Sequence, residues 1–110
     1  MEKKIRKVVR SDEVVSDLAD IYQYGLETFG VTTANIFLEE INHAIHGLSF
    51  QYRMHPECRH IPTKSKMYRN IIIGKYLIIF RITPERIEVL RALHGSRSPT
   101  FIRSARSIKI

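Results

Sequence analysis

Apolar residues fall along this chain in two regimes. Between Val14 and Leu48 they recur every three or four positions, and between Met67 and Leu93 they run together or alternate. The first regime predicts helices and the second predicts strands. In the first, Val14, Leu18, Ile21, Tyr22, Leu26 and Phe29 form one stripe of a helix that Ser11 or Asp12 can cap. Gly25 weakens this helix by about 1 kcal/mol relative to alanine, and Gly30 is a natural stop. Thr32 or Thr33 then starts a second helix with the stripe Ala34, Phe37, Leu38, Ile41, Ala44, Ile45 and Leu48. The short connection predicts an antiparallel helical hairpin.

The second regime holds three apolar runs. Gly74-Lys75 separates the first two, and Thr83–Arg86 the last two, as tight hairpin turns do. Tyr76–Phe80 is apolar at five successive positions. It needs cover on both faces and so belongs inside the sheet. In the third run Ile87, Val89 and Leu93 are expected on one face, and Glu88 and Leu90 on the other, with Glu88 solvated. Lys4–Arg10 alternates loosely and reads as a short edge strand guarded by its cations. Ser49–Glu57 reads as a loop, and Cys58–Thr63 as a short strand that Pro62 ends. Ser98-Pro99 can start a short helix, or Thr100–Ile110 can remain a flexible tail. The fold class is therefore α+β, with the N-terminal strand and the helical hairpin packed on a mainly antiparallel sheet of about four strands.

Composition narrows the function classes. The 110 residues fit one domain, and no apolar run approaches the ~18 residues of a membrane span. The N-terminus is charged where a secretory signal would be apolar. A single cysteine, Cys58, excludes an internal disulfide and suits a reducing cytoplasm. Charge is divided unevenly. Residues 1–52 carry 5 Lys and Arg against 8 Asp and Glu, a net of −3, whereas residues 53–110 carry 13 against 3, a net of +10. A basic sheet half implies an anionic partner, nucleic acid or an acidic protein.

No catalytic constellation stands out. His43 and His46, and Cys58 and His60, do not match a recognised zinc spacing, so no metal or other cofactor is expected. Carboxylates are scarce in the basic half, which argues against acid/base work by Asp or Glu. Arginines are plentiful and bind anions bidentately. Arg69 and Arg97 bracket the three strand runs and are expected at one end of the sheet. His94 can move a proton near neutral pH. Taken singly, Tyr76 reads as core, Arg81 and Arg91 as solvated, and His94 as a turn residue; only the cluster points to a site.

The run Tyr68-Arg69-Asn70-Ile71-Ile72-Ile73-Gly74-Lys75-Tyr76-Leu77-Ile78-Ile79-Phe80-Arg81 and the closing Leu90-Arg91-Ala92-Leu93-His94-Gly95-Ser96-Arg97 resemble the RelE/ParE superfamily, toxins of bacterial type II toxin–antitoxin (plasmid stabilisation) modules. The resemblance covers about residues 4–98 and implies a toxin domain over 1–98, with 99–110 as a tail or short helix. It implies a cognate antitoxin whose acidic C-terminal segment wraps and neutralises the toxin, and operator DNA reached only through that antitoxin. RelE-like members cut messenger RNA on the ribosome; ParE-like members poison DNA gyrase. Arg69 matches the first RelE-type lysine, Ile71 falls on the second, and Leu77 falls where those enzymes carry an arginine. Arg97 matches the arginine after the last strand, and Arg103 falls near the RelE-type tyrosine. The closing Leu-His-Gly-Ser-Arg is the ParE-like form. The resemblance thus implies a gyrase-binding toxin with Arg69, Arg81, Arg97 and Arg103 as target contacts. A ribonuclease would instead use Arg69, His94 and Arg97. A third alternative is a degenerate toxin that acts with its antitoxin as corepressor.

Overall fold

A computed structural model describes residues 5–110. Strand β1 (Lys7–Arg10) leads into helices α1 (Asp12–Phe29) and α2 (Val31–Gln51). Strands β2 (Tyr68–Ile73), β3 (Tyr76–Ile82) and β4 (Arg86–His94) follow, and then the short helix α3 (Pro99–Arg103). The sheet order is β1-β4-β3-β2, with β1 parallel to β4 and the other pairs antiparallel. Tyr76–Phe80 thus lies on an interior strand and β1 at an edge, as their patterns require. Lys4, the first residue of the expected edge strand, lies outside the described residues.

Local chemistry sets the helix ends. The Ser11 hydroxyl accepts the Val14 N–H at 2.9 Å and donates to the Leu90 carbonyl at 2.6 Å, so the cap of α1 is also its tie to β4. Gly30 serves both helices. At φ 91° its N–H closes α1 on the Leu26 carbonyl, and its own carbonyl accepts the Ala34 N–H to open α2. The expected threonine cap is therefore absent, because α2 has already begun at Val31. Gly25 has a packing reason: a Cβ there would sit 3.3 Å from the Cβ of Ala34, where the two helices cross.

Two cores flank the sheet. The helix-side core joins Val14, Leu18, Ile21, Ile41, Ile45 and Leu48 to Ile71, Ile78, Phe80, Ile87 and Val89. Burying one such side chain fully contributes about 1.5–3 kcal/mol. On the other face Ile79, Leu90 and Leu93 pack against Cys58, Ile61, Ile102, Ala105 and Ile108. The C-terminal residues are therefore the sheet's second cover, in α3 and a 3₁₀ turn over Ser104–Ser107.

Several expectations need correction. Helix α2 runs on to Gln51 and a 3₁₀ turn over Tyr52–Met54, so the expected loop is largely helical, and Tyr52 is buried. Cys58–Thr63 is no strand. A single bridge pairs Glu57 with Arg69, and the Ile61 N–H then folds back to the Cys58 carbonyl. That turn drives the Cys58 and Ile61 side chains into the second core, where burial raises the Cys58 thiol pKa despite N–H groups from His60 and Ile61. In β4 a bulge shifts the register, since Ile79 pairs with Arg91 but Phe80 with Val89. Leu90 is the extra residue, so Leu93 falls on the face opposite Ile87 and Val89. Glu88 is buried rather than solvated.

Candidate functional site

The β2–β3 turn, the end of β4 and the last turn of α1 meet at one end of the molecule. Gly74, at φ 56°, makes the two-residue turn with Lys75. Tyr76 follows it and pairs with His94 across the ladder. Their rings meet edge to face at 5.5 Å, and Phe37 of α2 packs on Tyr76 at 5.8 Å. Burial raises the Tyr76 phenol above its ordinary pKa. His94 is fixed by its own turn: Nδ1 accepts the Ser96 N–H at 3.1 Å and lies 2.7 Å from the Ser96 hydroxyl. An acceptor Nδ1 puts the neutral ring's proton on Nε2.

Beside these residues a nearly wholly apolar cleft of about 210 Å³ opens between α1 and α2, lined by Tyr24, Phe29, Phe37 and Tyr76 among others. Phe29 is 64% exposed and Tyr24 57%. Phe29 fits the helical stripe by spacing, yet it stands at the last turn of an 18-residue helix and helps line this cleft rather than the core. Lys75, His94 and Tyr76 continue the cleft toward the sheet.

Arg97 stands on the rim. Its guanidinium lies 3.7 Å from the centroid of Phe101, a cation–π contact supplied by α3. Among the described residues no carboxylate comes within ion-pair distance of it, although Asp20 lines the same shallow concavity. Arg91 is different: it grips Asp17 of α1 through two hydrogen bonds of 2.7 and 2.9 Å. It is a structural clamp, not a solvated charge. Arg103 is exposed on α3, and among the described residues its side chain meets only the Thr100 hydroxyl, at 3.4 Å.

Arg81 is spoken for. Its side chain is only 13% exposed; it pairs with Glu88 at 2.6 Å and donates to the Ile108 carbonyl at 2.9 Å. Desolvation lowers the Arg81 pKa, but bonds to Tyr68 and Glu88 outweigh it, and the net shift is upward.

Arg69, His94 and Arg97 do not come together. Arg69 pairs with Phe80 and His94 with Tyr76. Four residue steps along β3, about 13 Å, separate the two positions. Arg69 also shares its face with Phe80, which packs under the helices. It donates there to the carbonyls of Arg53, His55 and Lys66. Leu77 lies on the opposite face and packs on the second core. The expectation of Arg69 and Arg97 at one sheet end fails because β2 is antiparallel to β3, which carries Arg69 to the far end.

The sequence model of the family described as the ParE toxin of type II toxin-antitoxin system, parDE, matches residues 8–99, which include the helical hairpin, strands β2 to β4 and all of β1 but Lys7. The chain belongs to the ParE toxin family. No curated protein sequence matches it significantly. Among solved structures, a chain described as the chromosomal ParDE TA system from P. aeruginosa superposes with a TM-score of 0.67. It is 16% identical, over 83% of this chain and 97% of that one, a likeness of fold. The fold is that of the RelE/ParE superfamily. Among the described residues no helix is long and apolar enough to cross a membrane.

Proposed function

We propose that this ParE-family chain is the toxin of a type II toxin–antitoxin module that stops growth by binding its target, with DNA gyrase as that target. Membership of the ParE family over residues 8–99 carries the reading. The side chains agree with a binder. Arg97 is presented on the Phe101 ring without a carboxylate partner among the described residues, and Arg103 is exposed on α3. Arg69 and Arg81 contribute less to target contact, because carbonyls and Glu88 already hold them. The ribonuclease alternative has no support from geometry, since its three residues stand at two ends of the sheet.

The antitoxin is proposed to close the apolar cleft. Tyr24, Phe29, Phe37 and Tyr76 would take apolar anchors of a segment that folds on binding, and Lys75 and Arg97 would meet its carboxylates. This chain's +7 charge favours an acidic partner.

The deciding experiment is brief induction in a bacterial host without antitoxin, with pulse labels for DNA and protein synthesis in parallel. DNA synthesis should stop first, with a DNA-damage response. Protein synthesis stopping first would overturn the gyrase reading. No arrest of either would leave a corepressor that meets operator DNA through its antitoxin.

A further inference from the structure

The opposite end of the molecule carries a second basic centre. Arg6 precedes β1, Arg53 lies in the 3₁₀ turn after α2, Lys66 precedes β2 and Arg69 lies in it. Arg6, Arg53 and the Lys66–Arg69 pair come from separate parts of the chain, yet the four side chains line one concavity of about 380 Å³ together with the β3–β4 turn at Thr83 and Pro84. The Arg6 and Arg53 guanidiniums pack on the Tyr52 ring, at 4.8 and 5.6 Å from its centroid. Arg6 is further fixed by a 2.7 Å bond to the Thr83 carbonyl, and Arg69 by its three carbonyl acceptors.

Among the described residues none of these four cations has a carboxylate within ion-pair distance. The nearby acids do not neutralise them. Glu57 accepts the Thr63 N–H, and Glu85 is exposed and outside the lining. Four converging cations repel one another unless an anion joins them. Lys66 also holds φ 55°, a left-handed backbone uncommon for a residue with a side chain. Such conformations persist where the surroundings hold them in place. Among the described residues, Nη2 of Arg69 and Nε of Arg6 make no hydrogen bond and are left for a ligand.

We propose that this concavity is a phosphate site for the backbone of a nucleic acid. Pre-positioned guanidiniums match phosphate oxygens bidentately, and a concave group of four cations suits a run of phosphates better than a single carboxylate. No aromatic face is open to a base, since Tyr52 is buried, so binding is by backbone and independent of sequence.

The test uses the purified full chain and a short fluorescent DNA duplex of arbitrary sequence, read by anisotropy across a salt titration. Binding should weaken about tenfold in the double variant Arg53→Gln/Lys66→Gln. Its log–log salt slope should fall by about 1 for each phosphate contact removed. Both residues are exposed, and an unchanged thermal midpoint shows that the variant still folds. Lys109→Gln, an exposed cation outside the concavity, should bind as the parent does. No duplex binding, or equal weakening by Lys109→Gln, overturns the proposal. So does binding of a glutamate-rich peptide in place of the duplex, which would make this a protein-docking site. None of these outcomes bears on gyrase as the target.

Discussion

Arg81 and Glu88 face each other across β3 and β4, and their 2.6 Å ion pair is the point at which the C-terminal segment is tied to the sheet. The same arginine donates to the carbonyls of Ile108 and Arg106. The second Glu88 oxygen takes Arg86, whose Nη2 reaches the Ile110 carbonyl at 3.0 Å. One buried carboxylate thus orients two guanidiniums, and through them holds the carbonyls of Arg106, Ile108 and Ile110 at the edge of the second core.

Removing one partner of such a pair leaves the other buried and unsatisfied. Arg81→Met should destabilise the protein by about 3 kcal/mol in chemical denaturation. It should also open the last residues to proteolysis after Arg103 and Arg106. A loss below about 1 kcal/mol, with the C-terminus still protected, would show that the strap is held by its apolar contacts alone.

The same network gives an acid dependence. Burial raises the Glu88 pKa, but the bonds and charges of Arg81 and Arg86 outweigh it, so the carboxyl lies below its ordinary 4.5. A depressed folded-state pKa means stability that is complete above about pH 4.5 and lost as pH falls through the folded value. Glu88→Gln should therefore flatten the acid limb of the thermal midpoint against pH. An unchanged acid limb would assign acid sensitivity to other carboxylates.

Ile102 is fully buried in the second core. Ile102→Ala should cost about 2–5 kcal/mol through lost burial and the cavity left behind. Deleting residues 99–110 should do more, exposing Ile79, Leu90 and Leu93 and making the chain aggregate. A deletion that stayed monomeric with the parent's midpoint would make the segment dispensable.

The sheet and the hairpin were legible because period is a local property. The three-four spacing of Ile41, Ile45 and Leu48, and the unbroken runs Ile71–Ile73 and Tyr76–Phe80, need no partner to be read. Rule-breaking positions were not legible. The bulge at Leu90 moves Leu93 to the other face, and nothing in Ile87–Leu93 announces it. Phe29 obeys the helical spacing and is still exposed, because helix length decides whether a stripe residue meets the sheet. Charge was the poorest guide. Arg81, Arg91 and Arg97 look alike in sequence, yet only Arg97 is left for a partner; Glu88 and Asp17 take the other two. The basic concavity was hidden because Arg6, Arg53 and Lys66 meet only through the fold.

The cleft prediction separates antitoxin from target. Phe29 is exposed and outside both cores, so Phe29→Ser should leave the thermal midpoint nearly unchanged. It should weaken neutralisation by the antitoxin, measured by calorimetry and by rescue of growth on co-expression. Full rescue at parental affinity would place the antitoxin elsewhere.

Arg97 is the residue on which the target reading turns. Losing its cation–π contact with Phe101 should cost about 0.5–1 kcal/mol, well within what the fold tolerates. Arg97→Ala should thus remain folded and still bind antitoxin through the apolar cleft, though more weakly without the Arg97–carboxylate contact, while toxicity on induction drops sharply. Arg97→Lys should recover only part of it, because an ammonium keeps the charge but loses the planar fork. Full toxicity in Arg97→Ala would free Arg97 from target contact and move attention to Arg103, the next exposed cation along the chain.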